Sequence, residues 1–305
     1  MGVYILKRIA RGIVTLVGIT VVVFFISHVL GDPAEQLVPI DASNKLLVYT
    51  RHSLGLDQPI MVQFGHFMSH AVHLDLGQSL FQGTSSRSLV LTALPYTAML
   101  AAAAFAIAFV LGISMGILAS RKPNSKLDTV VSAISIACIS MPEFWLALLL
   151  IVWVAIPTHG ALPVSGYGSW KNLILPAIVL ATRPTGRIAQ VTRSSMIDEA
   201  RAPYLVTANA KGLARRTIVL RHMLKNASIP IVTMSGLEVA DLLSGAIVVE
   251  SIFGWPGVGW LVGNAMLTLD LPLIETVVIF AAVVTVTMNL LVDLSYAWLN
   301  PRTRA

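Results

Sequence analysis

An all-α polytopic membrane protein is the fold class that this sequence predicts, and three observations predict it. The first is charge: 12% of the 305 residues are Asp, Glu, Lys or Arg and 56% are hydrophobic, with mean hydropathy +0.79. A soluble domain carries about a quarter charged residues, and so little charge cannot solvate the surface of a compact globule. The second is spacing: residues 12–30 and 88–120 contain no Asp, Glu, Lys or Arg at all, and roughly 20 apolar residues suffice to cross about 30 Å of hydrocarbon. The third is the segregation of the basic residues, which follows the spans.

Taken in order, the first stretch begins behind Lys7, Arg8 and Arg11, like the basic end of a signal peptide. Its apolar run is longer than a signal core, and no small-x-small cleavage site follows, so an uncleaved helix is expected. Residues 31–87 are the largest polar piece, with Asp32, Glu35, Asp41, Asp57 and Asp75 and turn signals at Gly31-Asp32-Pro33 and Gly55-Leu56-Asp57-Gln58-Pro59. They are too short for a catalytic domain and predict a cap of short helices. Further spans are expected at about 88–120, 129–156, 172–195, 227–251 and 271–299, six in all. No repeat or low-complexity linker divides the chain, so residues 1–305 are expected to form one membrane domain. Its parts would be a first span within 1–30, an outer segment 31–87, five spans within 88–299 and a tail at 300–305. The single cysteine, Cys138, lies in a span and excludes a disulfide framework or cysteine metal cluster.

Of the 21 Lys and Arg residues, fifteen fall before the first span, after the second, between the fourth and fifth, and in the tail that holds Arg302 and Arg304. Lys45, Arg51, Arg87 and Lys171 fall on the other side, and Arg183 and Arg187 inside the fourth span. Short cytoplasmic loops retain basic residues, so both termini are expected in the cytoplasm, as an even span count requires. The net charge of +6 thus reflects topology. No basic–aromatic strip or zinc spacing points to nucleic acid.

The loop at 196–226 carries most of the functional signal. Pro203 suits a first helical position, Lys211 a last turn, and Gly212 the left-handed position beyond a helix end. A second helical stretch follows from about Ala214, with Ile218, Val219, Met223 and Leu224 set among Arg216, Arg221 and Lys225. By composition alone such a basic amphipathic loop lies on anionic lipid. Its sequence says more. The run Tyr204-Leu205-Val206-Thr207-Ala208-Asn209-Ala210-Lys211-Gly212-Leu213, with Leu220-Arg221-His222, Asn226-Ala227 and Ile229-Pro230 after it, resembles the "EAA" loop of ABC importer permeases. More narrowly, it resembles the dipeptide, oligopeptide and nickel branch, as in the B-type permease of peptide transporters. Lys7-Arg8, Gly31-Asp32-Pro33-Ala34, Gly55-Leu56-Asp57-Gln58-Pro59, Asp75-Leu76-Gly77-Gln78-Ser79, Glu250 to Gly259 and Asn300-Pro301-Arg302 extend the resemblance, in order, over essentially the whole chain. Val206 stands where the general motif has an acidic residue, so no Glu-based contact is assumed.

The resemblance implies a type I importer permease fold and a role as half of a translocation pathway for peptides, with nickel or another small solute as the alternative. It implies a helix docking in a groove on an ATPase subunit through Tyr204, Thr207, Ala208, Ala210, Lys211, Gly212 and Leu213, Tyr204 being the buried anchor. It implies a second homologous permease, two ATPase subunits or domains and an extracytoplasmic substrate-binding protein, in a bacterial inner membrane. The chain has no G-x-x-x-x-G-K-[ST] loop, so it is expected to hydrolyse no ATP. No cofactor is expected on this chain; ATP and Mg would belong to the ATPases.

Ionisable groups within spans face a cavity or a partner. Glu143, Glu250, Glu275 and Asp293 fall nearer span ends, where snorkelling or interfacial pairing explains them. Glu238 and Asp241 lie deep in the fifth span, three apart on one face, with Arg183 and Arg187 four apart on the fourth as partners. Two readings stand: an ion-pair network between helices, or the lining of a translocation path. Phe253, Trp255, Pro256 and Trp260 belong to a Gly/Pro-broken segment, read either as re-entrant and packed on the helices or as a contact with the binding protein. His28, His66, His70, His73 and His159 lack a carboxylate or Cys at ligand spacing, so an exposed helix face is expected for His66, His70 and His73 and no metal site. A stand-alone secondary transporter would share the composition, but no inverted repeat or matched pair of broken helices supports it. No H-E-x-x-H or G-x-S-x-G supports an intramembrane enzyme.

Overall fold

The computed structural model describes residues 2–30, 34, 35, 38, 43–53, 55–73, 77–158 and 160–299. Side chains at 2–5, 27–30, 209, 244, 245 and 292–299 fall outside that description. So do the expectations placed on Gly31-Asp32-Pro33, Asp41, Asp75, His28, His159, Asp293 and the tail with Arg302 and Arg304. Among the described residues the fold is helical, without strands; one isolated bridge joins Gln78 and Ser85. Two compact units are described in turn: residues 1–97 with 256–287, and 98–255 with 288–305.

The first unit holds α1 (Gly2–Leu30), α2 (Asn44–Ser53), α3 (Ile60–Val72), the start of α4 (Ser86–Ser120), α11 (Val258–Thr268) and the start of α12 (Leu271–Leu299). Helices α2 and α3 are the short helices expected in the outer segment. Phe24 of α1 packs its ring on Phe64 and Phe67 of α3, with centroids 5.2 and 5.3 Å away. Val90, Ala93, Leu261, Val262, Ala265, Leu273 and Val277 form a buried apolar core. A polar clasp closes it: the buried Asp270 carboxylate accepts from the Ser79 hydroxyl at 2.5 Å and the Leu80 amide at 3.2 Å. At 11 residues α11 is about 16 Å long, half a span.

The second unit holds the rest of α4, α5 (Lys126–Ser140), α6 (Glu143–Leu150), α7 (Trp170–Glu199), α8 (Tyr204–Ala210), α9 (Leu224–Gly245) and α10 (Ile247–Phe253). Helix α7 is its centre, packed on α5 and α9. Lipid supplies no hydrophobic drive between helices, so contact depends on small residues that let backbones approach. Gly112 and Gly116 present bare backbone to α7: a Cβ at 112 would strike Ile188, and one at 116 would strike Thr192 and the Ala189 carbonyl. Gly186 does the same for α5, where a Cβ would meet the Ser135 carbonyl.

The third and fifth expected spans are not single helices. The stretch 129–156 breaks between α5 and α6, which bend by 102°. Pro142 disfavours helical geometry at the residue before it, and Met141 is accordingly extended, at φ −76° and ψ 124°. The stretch 227–251 divides into α9 and α10. Among the described residues, three single helices are long and apolar enough to cross a membrane, and two bent pairs bring the number to five if each is one span. The fourth expected span, α7, has the length at 30 residues, but Lys171, Arg183, Arg187 and Arg193 dilute its apolar character.

Candidate functional site

Arg187 on α7 reaches both acidic groups of α9. Its Nη1 donates to Glu238 Oε1 at 3.0 Å and to Asp241 Oδ2 at 3.3 Å. The two carboxylates differ in surroundings: Glu238 is 1% exposed, whereas the Asp241 side chain is 61% exposed. A buried carboxylate is tolerated only with a close counter-charge, so Arg187 and Glu238 are the structural part of the network. Asp241 instead opens on a cavity of about 420 Å³, whose walls include Glu143, Arg183, Glu238 and Asp241. Arg183 and Glu143 bring charges of opposite sign to its lining. The volume lies within the roughly 300–1,000 Å³ of small-molecule sites.

The break at Met141-Pro142 shapes this cavity, because Ile139, Ser140, Met141 and Pro142 form one wall and α6 starts there with Glu143. Glu143, expected near a span end, is the first residue of α6 and lies on the cavity wall. The signal was Pro142 inside an apolar run.

The second constellation is the short helix α8. Pro203 precedes it, and Gly212 follows with φ +71°, the left-handed geometry its position predicts. Leu205, Ala208 and Ile218 form a buried cluster under it, with Tyr204 and Met223 packed alongside. The Tyr204 hydroxyl donates to Glu199 Oε1 at 2.6 Å, and Asn226 Nδ2 donates to the same oxygen at 3.0 Å. Burial and that carboxylate together push the Tyr204 phenol above its ordinary pKa. Glu199 ends α7, Tyr204 opens α8 and Asn226 lies in the first turn of α9, so one carboxylate ties three elements at a point. Sequence reasoning missed Glu199, which stands outside the motif it serves.

This packing alters the expected docking face. Ala208 is buried against its own chain, and Tyr204 is half-buried with its hydroxyl turned to Glu199. Thr207, Ala210, Lys211, Gly212 and Leu213 are exposed, joined by Val206 at 73% exposure. The side chain of Asn209 lies outside the described residues.

Phe253 and Trp255 are also buried in their own unit, with the Trp255 ring edge-on to Tyr167 at 5.2 Å. Gly254 adopts φ +57° and the Gly166 amide donates to the Phe253 carbonyl at 2.8 Å. Pro256 is half-buried and Trp260 is exposed. His66, His70 and His73 lie on or just beyond α3, exposed; among the described residues no three His, Cys, Asp or Glu come together as a metal would require.

Comparison with known proteins covers the whole chain. Residues 108–305 match the family described as binding-protein-dependent transport system inner membrane component, and residues 1–101 match its N-terminal region. The glutathione transport system permease protein of Salmonella typhi is 37% identical over 308 residues, spanning 99% of this chain and 98% of that protein. The dipeptide transport system permease protein of Alkalihalophilus pseudofirmus is 34% identical over 330 residues, covering 99% of each. Among solved structures, the inward-facing MetNI methionine ABC transporter superposes with a TM-score of 0.58 at 16% identity, over 70% of this chain and 96% of that one.

Proposed function

Since the chain belongs to the family of inner-membrane components of binding-protein-dependent transport systems, we propose that it forms half of a peptide translocation pathway driven by separate ATPase subunits. The observation that carries the mechanism is α8: a short helix with one face clamped to its own chain and the other exposed. Such a helix presents a groove-binding face to a partner. The clamp on Glu199 means that displacement of α8 moves the ends of α7 and α9 with it. Those two helices carry the Arg187–Glu238–Asp241 network and the cavity beside it. A push on Val206, Thr207, Ala210 and Lys211 therefore arrives, through two stiff helices, at the charged cavity.

Peptide is the substrate class that fits. Relatives of near full length are named for dipeptide and glutathione transport. The cavity walls offer charges of both signs, Arg183 against Glu143 and Asp241, which suits a solute with a carboxylate and an ammonium group. The remaining partners follow from the family pattern: a second permease, two ATPase subunits and an extracytoplasmic binding protein, with both termini in the cytoplasm. The test is affinity purification of the tagged chain from its native membrane, beside Lys211→Glu and Gly212→Asp variants. The wild type brings down ATPase subunits and a second permease, and the variants lose the ATPases. A wild-type chain that purifies alone and transports in liposomes without ATP sinks the proposal.

A further inference from the structure

Beside the clamped face of α8 lies a second and larger cavity, about 1,380 Å³, that the transport mechanism does not use. It is framed by the end of α4, the start of α5, the end of α7 and the segment 213–223. Five of its lining residues are cations: Arg121, Lys122, Lys126, Arg215 and Arg216. None of its lining residues is acidic. Of the carboxylates nearest in sequence, two are committed elsewhere, and Asp198 is exposed and does not line the cavity. Asp128 is held by the Arg193 guanidinium through two bonds and by the Asn124 amide, and Glu199 by Tyr204 and Asn226. Among the described residues none of the five cations pairs with a carboxylate; Arg215 donates only to the Arg121 carbonyl, at 3.5 Å. The rest of the lining is largely apolar, including Ile117, Met196, Ile218 and Met223.

From this combination we infer that the cavity binds the headgroup of an anionic phospholipid, with the upper part of an acyl chain against the apolar wall. Like charges around one cavity repel, and a phosphodiester among them relieves that repulsion. The volume exceeds the roughly 300–1,000 Å³ of a small-solute site, and basic pockets between spanning helices on the cytoplasmic side are suited to acidic headgroups. The position favours lipid over a soluble anion: Arg121 and Lys122 immediately follow the 35-residue apolar helix α4, at the level where headgroups begin. A lipid seated there touches Leu205 of α8 and Ile218 and Val219 of the segment that follows it, so its loss would loosen the base on which α8 is clamped. The inference rests on the proposed function only in assigning this face to the cytoplasm.

The experiment uses the purified complex in nanodiscs of phosphatidylcholine with or without phosphatidylglycerol, and counts bound phosphatidylglycerol by native mass spectrometry. Arg121→Gln with Arg216→Gln, both exposed and hence mild for folding, is expected to weaken one bound phosphatidylglycerol per chain roughly thirtyfold, about 2 kcal/mol for two lost charges. The independent pair Lys122→Gln with Lys126→Gln is expected to behave alike, while Arg201→Gln with Lys225→Gln, outside the cavity, leaves the count unchanged. Equal loss in the control pair would reduce the effect to general surface attraction and overturn the site. Displacement by inorganic phosphate or glycerophosphoglycerol as readily as by lipid would make it a soluble-anion site. Lipid retained by the permeases alone but absent once ATPases are bound would show a protein partner covering the cavity, and would also overturn it. Peptide import is read separately on the same preparation, so failure of the transport reading leaves the lipid count intact and the two failures distinguishable.

Discussion

Replacing Arg187 by Met separates the structural part of the charged network from the part that faces the cavity. The substitution leaves the Glu238 carboxylate, 1% exposed, without its 3.0 Å partner. Removing one partner of a buried ion pair costs about 3–5 kcal/mol, because the remaining charge stays buried and unpaired. The Arg187 side chain is 27% exposed, which admits some solvent, so the lower end, about 3 kcal/mol, is expected. For a chain of this size that corresponds to a fall of about 5–10 °C in melting midpoint. Adding Glu238→Gln removes the orphaned charge and is expected to recover most of the loss, so that the double variant lies within about 1 kcal/mol of wild type. Asp241→Asn, at a site 61% exposed, is expected to cost under about 1 kcal/mol in stability while lowering import. The assay is the melting midpoint of the purified complex by tryptophan fluorescence, beside peptide uptake. If Arg187→Met melts like wild type, or if Glu238→Gln gives no rescue, the assignment of this pair to structure is refuted.

Three further outcomes follow from the packing. Gly116→Leu drives a side chain into Thr192 and the Ala189 carbonyl; overpacking of this kind costs about 1–3 kcal/mol, so the yield of folded protein in gel filtration should drop. Gly18→Leu, with nothing within 4 Å, should match wild type. Thr207→Arg on the exposed face of α8 should leave the melting midpoint unchanged but reduce ATPase co-purification, whereas Ala208→Leu, buried against Leu205 and Ile218, should lower the midpoint itself; the reverse pattern would mean that the two faces are misassigned. Gly212→Ala, at φ +71° with open space around it, should cost about 1–2 kcal/mol of local stability, read as faster amide exchange across α8, and Gly212→Asn should cost less.

The membrane class, the short helices between the first two apolar helices and the punctuation of α8 were legible because each depends on local composition: uncharged runs, turn residues, a proline before a helix and a glycine after it. The pairing of Arg187 with Glu238 and Asp241 was legible as a spacing on two helices, though not which carboxylate was buried. What escaped was set by three-dimensional approach. Pro142 lies within a run apolar enough to read as one span, and only the fold shows the chain turning there to bring Glu143 to a cavity. Tyr204 has the size of a partner anchor, yet Glu199, five residues upstream and outside any motif, draws it inward. The role of Gly112 and Gly116 in α4 has no local signature, because the surface they fit belongs to α7, more than 70 residues away.

The most direct measurement is uptake of a labelled dipeptide into proteoliposomes carrying the co-purified complex with its binding protein, with and without enclosed ATP. Uptake that requires ATP, and is lost in Lys211→Glu through loss of the ATPases, is the predicted result. ATP-independent uptake by the chain alone, unaffected by Lys211→Glu, would contradict it.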